Sequence, residues 1–237
     1  MVRGPAAVLI VAAAAWIYFL IPKLLPAIHD DETSRMVAGA VAAALIVVVA
    51  AGVATLSDAA FVVPLVLLGA ALVAGVMNAA GVGAAATVPE TVVYACIGIL
   101  FAVWLEVPAL VLAIPVFVAG IEIIGILSGG ATHGVAHGAL RGGDPLSLEL
   151  PDWHNGLSAA RLGVADIVFV GIYSTYARRF GLRFVAGAIG MAVALALGLV
   201  LSIEQNNALP ELAFLGAGFL LPNIDRIMAL FRLIPEG

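Results

Sequence analysis

The sequence predicts an all-α, polytopic membrane protein, with about eight helices packed as one domain over residues 1–237. Three observations predict it. Hydrophobic residues make up 64% of the chain and charged residues 11%. The apolar residues fall in runs of about 20, the length a helix needs to cross roughly 30 Å of hydrocarbon. Most connections between runs are short, so neighbouring helices pack antiparallel in a compact bundle. The net charge of −5 is scattered and offers no basic stripe, which excludes a nucleic-acid partner and leaves the lipid bilayer as the expected surrounding. Cys96, the only cysteine, lies inside an apolar run and can form no intrachain disulfide.

Taken in order, the helices are expected at about 5–25, 36–56, 60–80, 89–105, 108–127, 157–177, 183–203 and 208–222. The first follows Arg3 as a signal peptide would. It is too long for that, however, and Trp16, Tyr18 and Lys23 read as an interfacial anchor, so it stays as a membrane helix. The second to fourth rest on apolar runs of spanning length. The fifth is interrupted by Pro115 and ends in "GIEIIGIL", which carries Glu122. Between it and the sixth lies a long loop, 128–156, that holds three of the four histidines and much Gly and Pro. Loops of that length in a tight bundle are usually functional or disordered. Within this one, "LSLEL" (146–150) alternates as a short strand does. The sixth helix carries Asp166, and Glu211 lies near the start of the last.

Orientation follows from the ten Lys and Arg residues. A cytoplasmic N-terminus puts Arg3, Arg178, Arg179, Arg183, Arg226 and Arg232 inside, against Lys23, Arg35, Arg141 and Arg161 outside. The positive-inside rule therefore expects both termini in the cytoplasm.

Of the fifteen acidic residues, only Glu122 and Asp166 sit well within expected spans. A carboxylate at the centre of a membrane helix costs about 2.5–3.5 kcal/mol, so it normally faces a cavity, a partner or a pathway. No basic partner is evident at that depth. Two carboxylates can instead share a proton, one remaining neutral in low dielectric. Such a pair can run acid–base catalysis: one carboxylate activates water while the other protonates the scissile carbonyl.

Three stretches together resemble the intramembrane aspartyl proteases that include presenilin and signal peptide peptidase. "IEIIGIL" is similar to that family's Tyr-Asp motif, with Ile121 and Glu122 at the Tyr and Asp places. "LGVADIVF" resembles its Gly-x-Gly-Asp motif, with Gly163, Val164, Ala165 and Asp166 in register and Phe169 following. "ALPELAFLGAGF" resembles its Pro-Ala-Leu motif, with Pro210, Glu211 and Leu212 at those places. The resemblance covers roughly residues 90–222. It implies a presenilin-like bundle with Glu122 and Asp166 as a dyad across a water-filled cavity, which Pro210 and Leu212 shape. Gly163, as the first motif glycine, belongs to the same site. Water would be the nucleophile, so no metal or other cofactor is implied, and the partners would be transmembrane-segment substrates. "LSLEL" would offer a strand edge to an unwound substrate. The family pattern is altered at four residues, Ile121, Glu122, Ala165 and Glu211, and a glutamate extends the carboxylate by about an ångström, a distance that matters for catalysis.

Other readings remain open on the same residues. Midplane carboxylates on an interrupted helix also suit a proton- or ion-coupled transporter, although no internal repeat is evident. A catalytically silent relative would bind membrane helices without cutting them. Glu211 at a helix N-terminus is accounted for by the helix dipole. His133 and His137 have a zinc-ligand spacing, but the glycines after them disfavour a helix and no intervening glutamate is present. No Gly-x-Ser-x-Gly supports a serine nucleophile.

Overall fold

The computed structural model describes residues 4–21, 25, 28–128, 147–153, 158–205 and 209–232. Its first half is α1 (Gly4–Leu20), α2 (Asp31–Val53), a 3₁₀ segment (Ala54–Val62), α3 (Val63–Ala79), α4 (Gly83–Trp104) and α5 (Leu110–Leu127). Two strands follow, β1 (Ser147–Pro151) and β2 (Ser158–Gly163), and β2 runs directly into α6 (Val164–Arg179). The chain ends in α7 (Phe184–Gln205), α8 (Glu211–Leu220), a 3₁₀ turn (Leu221–Asn223) and α9 (Ile224–Arg232).

Local chemistry accounts for several boundaries. Asp30 caps α2 by accepting the Thr33 N–H at 2.9 Å, and Asp31 and Glu32 add negative charge to the first turn, where the helix dipole favours it. The segment between α2 and α3 breaks at Ala59, whose backbone is non-helical, and Pro64 restarts the helix from within its first turn.

Among the described residues, five stretches are long and apolar enough to cross a membrane: Asp31–Ala79, Gly83–Trp104, Leu110–Leu127, Phe184–Gln205 and Glu211–Arg232. The expectation of eight differs from this for physical reasons. The expected second and third helices run into one another through the 3₁₀ segment. The expected first helix stops at Leu20, a 17-residue stretch. The expected helix at 157–177 is corrected: residues 158–163 are strand, and the helix after them has 16 residues. Leu65, Leu68 and Leu72 on α3 are 65–70% exposed, an apolar outer face compatible with surrounding lipid.

The strand expected at 146–150 is β1, and it pairs antiparallel with β2 with Leu148 opposite Leu162 and Glu149 opposite Arg161. Glu149 and Arg161 also form an ion pair at 3.5 Å. Leu148, Leu150 and Leu162 are fully buried. Three side-chain bonds fasten the hairpin to the bundle. Thr87 of α4 donates to the Glu149 carbonyl at 2.9 Å, Ser34 of α2 donates to Asp152 at 2.8 Å, and Trp153 donates to the Tyr18 hydroxyl at 2.7 Å. The segment is thus a core element as well as a strand, and removing 146–150 would strip two leucines from the core.

At the far end of the same helices lies a belt of ion pairs: Arg178 with Asp58, Arg179 with Glu106 at 3.1 Å and Arg183 with Asp225 at 2.6 Å. Small residues set the closest helix crossings. A Cβ on Gly98 of α4 would sit 2.1 Å from the Val168 carbonyl oxygen of α6. At the crossing of α7 and α8, a Cβ on Gly190 or Gly218 would lie 2.1 or 2.4 Å from the other's carbonyl oxygen. Backbone cannot yield as a side chain can, so a methyl there must push the helices apart. Gly190→Ala is expected to lower stability by about 1–3 kcal/mol in detergent unfolding. Gly69→Ala, which meets nothing within 4 Å, should change it by less than about 0.5 kcal/mol.

Candidate functional site

Three helices bring a carboxyl group to one place. Asp166 stands in the first turn of α6, Glu211 opens α8, and Glu122 lies in the second half of α5. Asp166 is buried at 3% exposure, whereas Glu122 and Glu211 are half-buried. Both Glu122 and Glu211 lie within electrostatic reach of Asp166.

Asp166 owes its position to the hairpin. Gly163, the last residue of β2, is extended (φ −65°, ψ 139°) and serves as the N-cap of α6. Asp166 is the third residue of that helix, and its carboxylate takes the Gly163 backbone N–H, the return half of a capping box. A Cβ on Gly163 would approach Asp166 Oδ2 to 3.1 Å, so the small residue leaves room for this bond. Asp166 therefore lies at a helix start, not in the middle of a span as the sequence suggests, because a strand occupies the residues before it.

Glu122 is held differently. The N-cap of α8 is Pro210, which offers no capping side chain. Glu122 of α5 supplies one from outside the helix: its Oε2 accepts the Ala213 N–H at 2.9 Å, and the Leu212 and Glu211 N–H groups also reach its carboxylate. The first turn of α8 thus faces one anion, with the Ala213 N–H shared between Glu122 and the Pro210 carbonyl at 3.1 Å, as expected where first-turn N–H groups and the helix dipole both favour negative charge. Pro115 lies on the same contact between α5 and α8: a Cβ on Gly216 would meet its Cβ at 3.3 Å.

Glu211 and Asp166 lie close together, each within the other's electrostatic reach. Among the described residues, no N–H or hydroxyl donor reaches Asp166 Oδ1. Two carboxyl groups this close in low dielectric can share a proton, one of them remaining neutral. No described basic group contributes to the surroundings of Asp166, whose charged neighbours are Glu211 and Glu122. Arg161, five residues earlier, is engaged with Glu149.

All five sequence-derived site residues, Glu122, Asp166, Gly163, Pro210 and Leu212, thus border one site. Pro210 and Leu212 act through the backbone of the α8 start. The residue whose part the sequence understated is Glu211. Its helix-terminal position explains its tolerance, but its place beside Asp166 depends on how α6 and α8 pack, which no local pattern encodes. Tyr173 also went unremarked in the sequence, although its seven-residue spacing from Asp166 puts both on one helix face. Between α4, α5 and α6 lies an apolar groove of about 310 Å³, bordered by Phe101, Phe117, Val118, Val168, Phe169 and Ile172. Among the described residues, no group of three His, Cys, Asp or Glu side chains has metal-binding geometry. His133, His137 and His154 lie outside the described residues. No protein-family model, curated protein or solved structure matches this chain.

The cap contact yields a stability prediction. Glu122→Ala removes the side-chain acceptor that faces the first turn of α8 and should destabilise the protein by about 0.5–2 kcal/mol in detergent unfolding. Glu122→Gln keeps an oxygen acceptor at the same reach and should recover most of that loss.

Proposed function

We propose that this chain is an intramembrane protease of the presenilin and signal peptide peptidase type that cuts transmembrane segments with a carboxylate pair. The observation that carries the proposal is the meeting of Asp166 with Glu122 and Glu211 in a site with no described cation. The three helices that supply them carry the three family-like motifs in the expected order. Gathering Arg178, Arg179 and Arg183 at one end of the bundle supports placing that end in the cytoplasm.

The roles follow from the hydrogen bonds. Glu122, held as an acceptor by the α8 amides, is the base that takes a proton from water. Asp166, close to Glu211 and able to share a proton with it, is the acid that delivers one to the scissile carbonyl. The apolar groove between α4, α5 and α6 suits an apolar substrate helix.

The length of Glu122 is part of this arrangement. Shortening it to aspartate withdraws the carboxylate by about an ångström from the Ala213 N–H. A displacement of that size can cost about 10²-fold in rate. Glu122→Asp should therefore slow cleavage by that order, although it restores the family's residue.

The decisive assay uses purified protein in liposomes with a panel of tagged single-span substrates. Fragments are expected from wild type and absent from Asp166→Ala and Glu122→Ala. One observation favours a second reading, proton-coupled transport: Asp166 and Glu211 lie close together, and neighbouring carboxyl groups can hold a proton and hand it on. Substrate-dependent proton flux without fragments from any substrate would select transport and reject the protease.

A further inference from the structure

Tyr173 of α6 is fully buried, and its hydroxyl has no hydrogen-bond partner among the described residues. Other tyrosines in the bundle are satisfied: Tyr176, one turn on, donates to the Leu105 carbonyl at 2.9 Å, and Tyr18 donates to the Ala38 carbonyl at 3.2 Å. A buried hydroxyl left without a partner in a native core calls for an explanation, and a bound group it serves transiently is one. Its surroundings indicate which group. Tyr173 lies seven residues after Asp166 on the same face of α6, where helical side chains lean toward the N-terminal end that carries Asp166. Both Asp166 and Glu122 act electrostatically on that hydroxyl. The ring cannot easily turn away. It stacks on Phe219 of α8, with centroids 4.9 Å apart and planes 10° from parallel, and packs against Phe169 with centroids 5.8 Å apart.

From this geometry we infer that Tyr173 is a catalytic residue: its hydroxyl donates a hydrogen bond to the substrate carbonyl oxygen as that oxygen gains charge. The inference rests on the protease reading and adds a residue to it. In the first step, the water oxygen bonds to the carbonyl carbon and one water proton passes to Glu122. The π-electron pair of the C=O bond moves onto its oxygen, where Tyr173 donates a hydrogen bond and Asp166 supplies a proton. In the second, the C–N bond breaks, the amide nitrogen takes the proton held by Glu122, and one hydroxyl of the intermediate returns its proton to Asp166 as the C=O bond re-forms. Tyr173 keeps its own proton throughout. A fixed donor aimed at the oxygen that gains charge stabilises the transition state more than the ground state.

The test is Tyr173→Phe, which preserves both ring contacts and removes only the hydroxyl. Its thermal midpoint should match wild type, its KM should be unchanged, and its kcat should fall on the order of 10²-fold, as for loss of one oxyanion donor. Tyr176→Phe, whose hydroxyl serves α4 at a distance from the carboxyl groups, should leave kcat unaltered. A second readout uses a peptide carrying a hydroxyethylene group in place of the scissile amide. Tyr173→Phe should bind it more than tenfold more weakly than wild type while binding the parent peptide equally. Wild-type kcat in Tyr173→Phe would overturn the inference and leave the protease standing. Wild-type protein that neither cleaves nor binds the hydroxyethylene peptide would overturn the protease reading and this inference with it.

Discussion

Three carboxyl groups meet in an apolar helical bundle with no described cation beside them, and the surrounding architecture answers the problem this creates. An isolated ionised carboxylate in such a medium is strongly disfavoured. Two devices make the cluster tolerable. The first-turn amides of α8 solvate Glu122 as water would, through the Ala213, Leu212 and Glu211 N–H groups. The second is the closeness of Asp166 and Glu211, which lets the two share a proton and carry one negative charge between them rather than two.

Both devices depend on where helices begin. The turn at Gly163 ends β2 and starts α6, which fixes Asp166 at the third helical position with its carboxylate on the Gly163 amide. The break at Pro210 starts α8, exposing the amides that Glu122 needs and putting Glu211 first in the helix. The hairpin is itself anchored through Thr87, Ser34 and Tyr18, so the N-terminal half of the chain positions α6 through contacts remote from the carboxyl groups. By contrast α5 buries little beyond Val111 and Pro115, and the Glu122 contact is a polar tie between it and α8. One residue thus supports both the chemistry proposed for the site and the docking of the helix that carries it.

Much of this was legible in the sequence where the signal is local. Apolar runs identify the helical stretches, alternation in "LSLEL" identifies β1, and isolation in apolar surroundings picks out Glu122 and Asp166. What was not legible depends on distant partners. Residues 158–163 read as the start of a helix because Ala, Leu and Gly suit a membrane span, yet they pair with β1 across intervening chain. The helix-crossing glycines Gly190 and Gly218 are indistinguishable in composition from Gly69, which meets nothing. Glu211 reads as an ordinary helix-terminal acid until α6 and α8 are packed together. Ionisable residues that look unpaired along the chain are informative, but their partners emerge only with the fold.

The central claim is that Asp166 and Glu211 hold one proton between them, and infrared spectroscopy of the protein in lipid tests it most directly, because a protonated carboxyl group has a C=O stretch distinct from that of a carboxylate. At neutral pH wild type should have such a band, sensitive to exchange into D₂O. Asp166→Asn and Glu211→Gln should each abolish or displace it, while Glu122→Gln should leave it in place. A band that persists in both Asp166→Asn and Glu211→Gln, or the lack of any protonated carboxyl band in wild type, would contradict the account.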